Sequence, residues 1–275
     1  MRRPRRAILA GLASLPVLAR PAVAAHTHVW ARWQANDPTS AVTVDHRLWA
    51  EFLSRYVRAG GDGINRVAYG EVTSEDRARL RQYIAQLGSV QVSLLRRPEQ
   101  FAYWSNLYNA LTVDVVLQHY PVASIRDIDI SPGWFAVGPW GAPLVTVEGE
   151  PISLDDIENR ILRPIWRDTC VHYALNCASI GCPNLQKLPF STDLLTRHLD
   201  GAARAYVNDP RGVTLGPAGL VVSSIYVWYQ ADFGGTDNGV IRHLMTFAEP
   251  NLAMRLQDVG TIAGDRYDWR LNDAR

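Results

Sequence analysis

The chain contains three cysteines, Cys170, Cys177 and Cys182, all within thirteen residues of one another. So few thiols exclude a disulfide-built scaffold, so the core has to come from apolar burial, which a chain of this length can supply. Beyond residue 24 no stretch approaches the roughly 20 consecutive apolar residues that span a bilayer, so no stable membrane span is expected once the amino-terminal segment is removed. Charge of either sign is not in excess: 28 basic side chains face 27 acidic ones. Nothing in that balance points to nucleic acid. There is also no internal repeat, no low-complexity tract and no linker that would divide the chain.

The chain does hold 275 residues, 47% of them hydrophobic, with nine tryptophans and eleven tyrosines, the composition of a folded globular domain. Its start is distinct. Arg2, Arg3, Arg5 and Arg6 precede an apolar run from Ala7 to Ala19, and Ala22-Val23-Ala24 supplies small residues at cleavage spacing. Residues 1–24 therefore read as a signal peptide, and the pair Arg5-Arg6 before Ala7-Ile8-Leu9 reads as a twin-arginine signal. The expectation is a periplasmic or secreted protein whose mature chain has a formal charge of −4, with residues 25–44 as an extension and 45–273 as one domain.

Apolar spacing predicts helices over 45–58, from Thr73-Ser74 to Gly88, over 101–120, over 192–207, from Ser224 toward Phe233, and over 239–247. The third is hydrophobic almost all round and is expected at the centre. Hairpins are expected around Glu148-Gly149 and Gly216, with Ser153 capping a helix that begins Leu154-Asp155-Asp156.

The chemistry concentrates in His172-Tyr173-Ala174-Leu175-Asn176-Cys177-Ala178-Ser179-Ile180-Gly181-Cys182-Pro183, which packs an imidazole, two thiols and a carboxamide into twelve residues. Residues 171–177 read as a buried strand, which would put His172 and Asn176 on one face and Cys177 on the other. Three readings stay open. In the first, Cys177 is the nucleophile of a thiol hydrolase or acyl transferase, His172 is its general base, and Asn176, Asn106 or Asp268 orients the imidazole or donates to an oxyanion. In the second, Cys177 and Cys182 form a disulfide in a non-catalytic binding or scaffold protein. In the third, Cys177, Cys182 and His172 hold zinc, although the spacing lacks a CxxC pair and a fourth ligand. No cofactor is expected. The substrate of the first reading is an unidentified small molecule or peptide. Asn106 and Asn109, three apart on a buried helix, also have a structural reading, as carboxamides that satisfy a neighbouring loop. Trp134 and Trp140 are candidates for the wall of a cleft.

Five ordered segments together resemble the family known as domain of unknown function 547. They are Phe101 to Thr112, Ile152 to Glu158, His172 to Pro183, Trp228-Tyr229 with Asp232-Phe233-Gly234, and Tyr267-Asp268-Trp269 with Leu271-Asn272. Asn159 and Ala68 stand where family members usually carry His and Asp. The resemblance implies an α+β fold: a predominantly helical single domain with a small antiparallel sheet, distantly similar to the papain and transglutaminase type of thiol hydrolase.

Overall fold

The computed structural model describes residues 28–133 and 135–274, so the signal segment and Trp134 lie outside the described residues. The protein is an α+β single domain, about half helical. Helix α1 (Arg47–Tyr56) runs into β1 (Val57–Ala59), which pairs antiparallel with β2 (Asn65–Val67). Helix α2 (Ser74–Gly88) starts where the sequence predicts, with the Thr73 hydroxyl accepting from the Asp76 N–H.

Helix α3 (Arg97–His119) is the axis of the fold. Every residue from Glu99 to Leu117 is buried, so its nearly uniform apolar surface is matched by protein on all sides. At its end His119 Nδ1 meets the Val115 carbonyl at 2.9 Å. Strands β3 (Val145–Val147) and β4 (Glu150–Ile152) form the expected hairpin. A π-helical segment, Asp156–Leu162, then leads into α4 (Arg163–Trp166). Ser153 caps this entry, since its hydroxyl accepts from Asp156 N–H while its own N–H and hydroxyl donate to the Asp156 carboxylate.

The expected strand at 171–177 is absent. Val171–Ala174 is instead a short helix, α5, followed by a loop. The cause lies just upstream, where the Asp168 carboxylate accepts from Cys170 N–H at 2.8 Å and its carbonyl accepts from Val171 N–H. An aspartate at the head of a turn is a helix-start signal, and Asp168-Thr169 carried it in the sequence.

Helix α6 (Leu195–Val207) packs on α5, and the chain continues as hairpin β5 (Val213–Gly216) and β6 (Gly219–Ser223), then α7 (Ser224–Trp228), α8 (Asp237–Phe247), α9 (Pro250–Leu256) and β7 (Ile262–Arg266). Strand β7 joins the outer side of β6 in parallel, so this largest sheet is mixed. After β7 the segment Tyr267–Trp269 runs extended back to the cysteine loop, with Ile180 N–H donating to Arg270 O and Gly181 N–H to Asp268 O. No helix among the described residues is long and apolar enough to cross a membrane.

Two half-buried histidines pack against the core as neutral acceptors. Tyr83 donates to His46 Nδ1 at 2.6 Å and Tyr173 to His243 Nε2 at 2.7 Å, and burial pulls both imidazoles down to about 4. The unfolded chain takes up these protons near pH 6.5, earlier than the folded one, so stability is full above that value and falls as pH drops toward 4. Asp155, pushed up to about 6, opposes the trend between pH 3.8 and 6, but it is exposed to screening solvent and is one group against two. The expected net loss is on the order of 3 kcal/mol. Calorimetry across this window should show the melting temperature falling with pH, and a flat profile contradicts it.

Candidate functional site

The cysteine loop is held by carboxamides. Asn109 on α3 donates to Ala174 O at 2.9 Å and accepts from Asn176 N–H at 2.8 Å, gripping the chain as it leaves α5. Asn176 then closes the loop, donating to Pro183 O at 2.7 Å while its side-chain oxygen accepts from Ala178 N–H and the Asn272 carboxamide. Asn106, one turn earlier, clasps Phe190 through both its N–H and its carbonyl. These carboxamides saturate backbone groups, and neither Asn106 nor Asn176 is among the residues lining the cavity beside Cys177.

That grip sets the backbone around Cys177. Ala178, the next residue, has φ 59° and is fully buried, a left-handed conformation that costs a non-glycine residue roughly 1–2 kcal/mol. Such strain persists only where the surroundings over-determine it. Gly181 is required by close approach, since a Cβ there would lie 2.8 Å from Asp268 N and 3.0 Å from the Tyr267 ring. Gly181→Ala should therefore destabilise the fold by about 1–3 kcal/mol. It should also slow alkylation of Cys177, because Tyr267 is pushed away from the sulfur. Unchanged alkylation contradicts this.

Three groups converge on the Cys177 sulfur. Cys182 Sγ lies 2.8 Å away, Tyr267 Oη 3.1 Å and Ser179 Oγ 3.2 Å, and Cys177 N–H donates to Cys182 Sγ at 2.9 Å. Burial opposes the Cys177 thiolate, but hydrogen bonds from Cys182, Ser179 and Tyr267 outweigh it and hold the thiol below its ordinary range. Ser179 has one proton to give, to the sulfur or to Tyr267 Oη at 2.9 Å, while Tyr267 keeps its own for the sulfur. Cys182 moves the opposite way: burial, reinforced by its bond to Cys177, pushes its thiol well up. The pair thus separates into a favoured thiolate and a retained thiol. Cys170 is buried elsewhere, and burial raises it to about 12.

His172 faces the same cavity without a hydrogen bond to Cys177. Its Nε2 donates to Asp232 Oδ2 at 2.8 Å, and the ring packs on Tyr229 and Phe233 with centroids 4.5 and 5.1 Å away. Arg163 Nε holds the same Asp232 oxygen at 2.6 Å. Burial opposes the Asp232 carboxylate, but these two donors outweigh it and keep it at about 2. Nδ1 is the ring nitrogen that Asp232 does not engage. Asp232 is the partner of His172 that sequence reasoning did not assign, although it stood inside the Asp232-Phe233-Gly234 segment. Asp268 points elsewhere, in an ion pair with Arg270, and only its backbone reaches the cysteine loop.

The cavity measures about 230 Å³ and takes its walls from six parts of the chain: Tyr108 on α3, Trp140, the Asp155–Glu158 turn, the α5–cysteine segment, Ile225 with Trp228 and Tyr229, and Tyr267 with Trp269. Trp228 stacks on Trp269 at 5.6 Å, and Trp140 meets Trp269 edge-on at 5.8 Å. Among the described residues no group of three or more His, Cys, Asp and Glu is arranged to hold a metal ion.

Residues 92–207 match the family described as a protein of unknown function, DUF547. The chain resembles that family over α3, the Asp155–Glu158 turn and the cysteine loop, whereas the segments at 228–234 and 267–272 lie beyond the matched range. Comparison with curated proteins gave no match, and comparison with solved structures gave none either.

Proposed function

We propose that the protein is a cysteine-dependent hydrolase or acyl transferase acting on amide or thioester bonds, with Cys177 as nucleophile. The observation that carries this reading is the hydrogen-bonded Cys177 sulfur at the wall of an aromatic cavity that His172, backed by Asp232, also lines. The thiolate attacks the acyl carbon, forming a C–S bond. The tetrahedral intermediate collapses as the C–N or C–S bond to the leaving group breaks. His172 Nδ1 takes up the proton given up by Cys177, passes it to the leaving group, and then takes one from the water or amine that releases the acyl group. Tyr267 donates first to the thiolate and, once sulfur is acylated, has its proton free for the carbonyl oxygen. In this reading His172 keeps the role of general acid and base, while Tyr267, Ser179 and Cys182 stabilise the thiolate.

The test is covalent. Reduced protein mixed with p-nitrophenyl acetate should release a burst of p-nitrophenolate equal to the enzyme present and carry one acetyl group, mapped to Cys177. Acetylation spread over surface groups with no burst overturns the reading.

The 2.8 Å approach of the Cys177 and Cys182 sulfurs also favours a second reading, a binding or scaffold protein locked by a disulfide between them. Counting thiols in protein purified without reductant separates the two, since the locked form has one thiol and the reactive form three. The arginine-led apolar pattern of residues 1–24 supports placement in the periplasm or outside the cell, and the mass of the mature chain tests it.

A further inference from the structure

The cavity beside Cys177 is charged on one side only. Asp155 and Glu158 line it, no lysine or arginine does, and its one imidazole, His172, is already bonded to Asp232. Among the described residues, the polar partners of the two carboxyls are neutral. The Asn159 carboxamide donates to Asp155 at 3.4 Å, and the Tyr108 hydroxyl donates to Glu158 at 3.2 Å, joined by that of Tyr229. Asp155 is exposed and hydrated, whereas Glu158 is half-buried, and a carboxylate facing an apolar cavity without a counter-charge is poorly compensated.

The remaining walls suit the missing charge. Trp140, Trp228, Trp269 and Tyr229 surround the space, and aromatic faces attract cations through their quadrupole. Two of these rings already attract cations within the fold, as Arg163 lies 4.3 Å from the Tyr229 centroid and Arg126 5.2 Å from that of Trp269. Neither arginine lines the cavity, and Arg163 is committed to Asp232 and Asn159. Glu158 is carried inward on the π-helical segment, an irregularity that concentrates at functional sites.

From these walls we infer that the cavity selects a substrate bearing a cationic amine, held against Glu158 and Asp155 between the tryptophans, with the acyl group presented to Cys177. The acyl part of this statement rests on the nucleophile reading above, whereas the cation part stands on the cavity alone.

Binding can therefore be read without turnover. The reduced protein is titrated by tryptophan fluorescence and calorimetry with choline and butylamine, and with their neutral counterparts dimethylbutanol and butanol. At least one cation should bind about tenfold or more tightly than its counterpart, at the scale of a desolvated cation–aromatic contact with a carboxylate. Glu158→Gln and, separately, Trp228→Leu should cut that preference to below about threefold. Trp228 is 39% exposed, so its loss leaves the core intact and guards against a folding artefact in the first variant. Equal binding of cation and neutral counterpart, binding of neither, or binding of cellobiose in place of either cation overturns the proposal, the last in favour of a saccharide cleft. Cation preference in a parent chain that fails to acylate at Cys177 would sink the nucleophile reading alone. Acylation at Cys177 without cation preference would sink this one alone.

Discussion

Cys177→Ala is expected to abolish turnover of an activated thioester, by at least about a thousandfold, while leaving the melting temperature within a few degrees of the parent chain. The rate effect follows from position: Cys177 is the thiol that three hydrogen-bonding groups favour as thiolate, and it opens on the cavity. The stability effect is small because the fold does not hang on that sulfur. The Cys177 N–H still reaches Cys182, and the loop stays gripped by Asn109 and Asn176. Removing one small, partly buried side chain costs about 1 kcal/mol, or roughly 2–4 °C in a chain this long. Cys182→Ala makes the contrast. It removes one donor to the thiolate and should slow the reaction about tenfold without abolishing it. Equal rates in the parent chain and Cys177→Ala contradict the mechanism, as does a large stability loss with activity retained.

Asn109→Ala should have the opposite signature, losing about 2–5 kcal/mol because two buried backbone groups, Ala174 O and Asn176 N–H, are left without partners. Because the lost grip is the one that shapes the Cys177 turn, accelerated alkylation of Cys177 should disappear with it. Asn106→Ala is the control. It strips the partners of Phe190 and should destabilise by a similar amount, yet leave Cys177 reactive, since its bonds lie outside the cysteine loop. Denaturant melts with peptide-mapped alkylation check both variants. Loss of Cys177 reactivity in both, or in neither, contradicts this division of labour.

Much of the frame was legible in the sequence, because apolar period and capping chemistry are local signals. The Thr73 cap, the buried all-round α3, the β3–β4 hairpin and the Ser153 cap could each be read from a few adjacent residues. The structural reading of Asn106 and Asn109 also came from their spacing on a buried helix. The site was less legible for two reasons. The run of small and apolar residues between 171 and 177 imitated a strand, while the Asp168 turn coiled the chain into α5 and removed the argument that set His172 and Cys177 on opposite faces. The decisive partners are also remote in sequence: Asp232 is sixty residues from His172 and Tyr267 ninety from Cys177, so only the folded chain brings them together. Asp268, chosen from the same segment as Tyr267, was one residue away from the side chain that reaches the sulfur, and in an extended segment neighbours face opposite ways.

The central claim is that the fold prepares Cys177, and no other thiol, for attack. The most direct measurement is alkylation of the reduced native protein by iodoacetamide from about pH 5 to 9, with each cysteine followed by peptide mapping. Cys177 should label first, with a midpoint below the ordinary thiol value of about 8.5, and Tyr267→Phe should move that midpoint upward. Cys170 and Cys182 should stay unlabelled until the chain unfolds. A Cys177 midpoint at or above the ordinary value, or labelling of all three cysteines only on unfolding, would contradict the account.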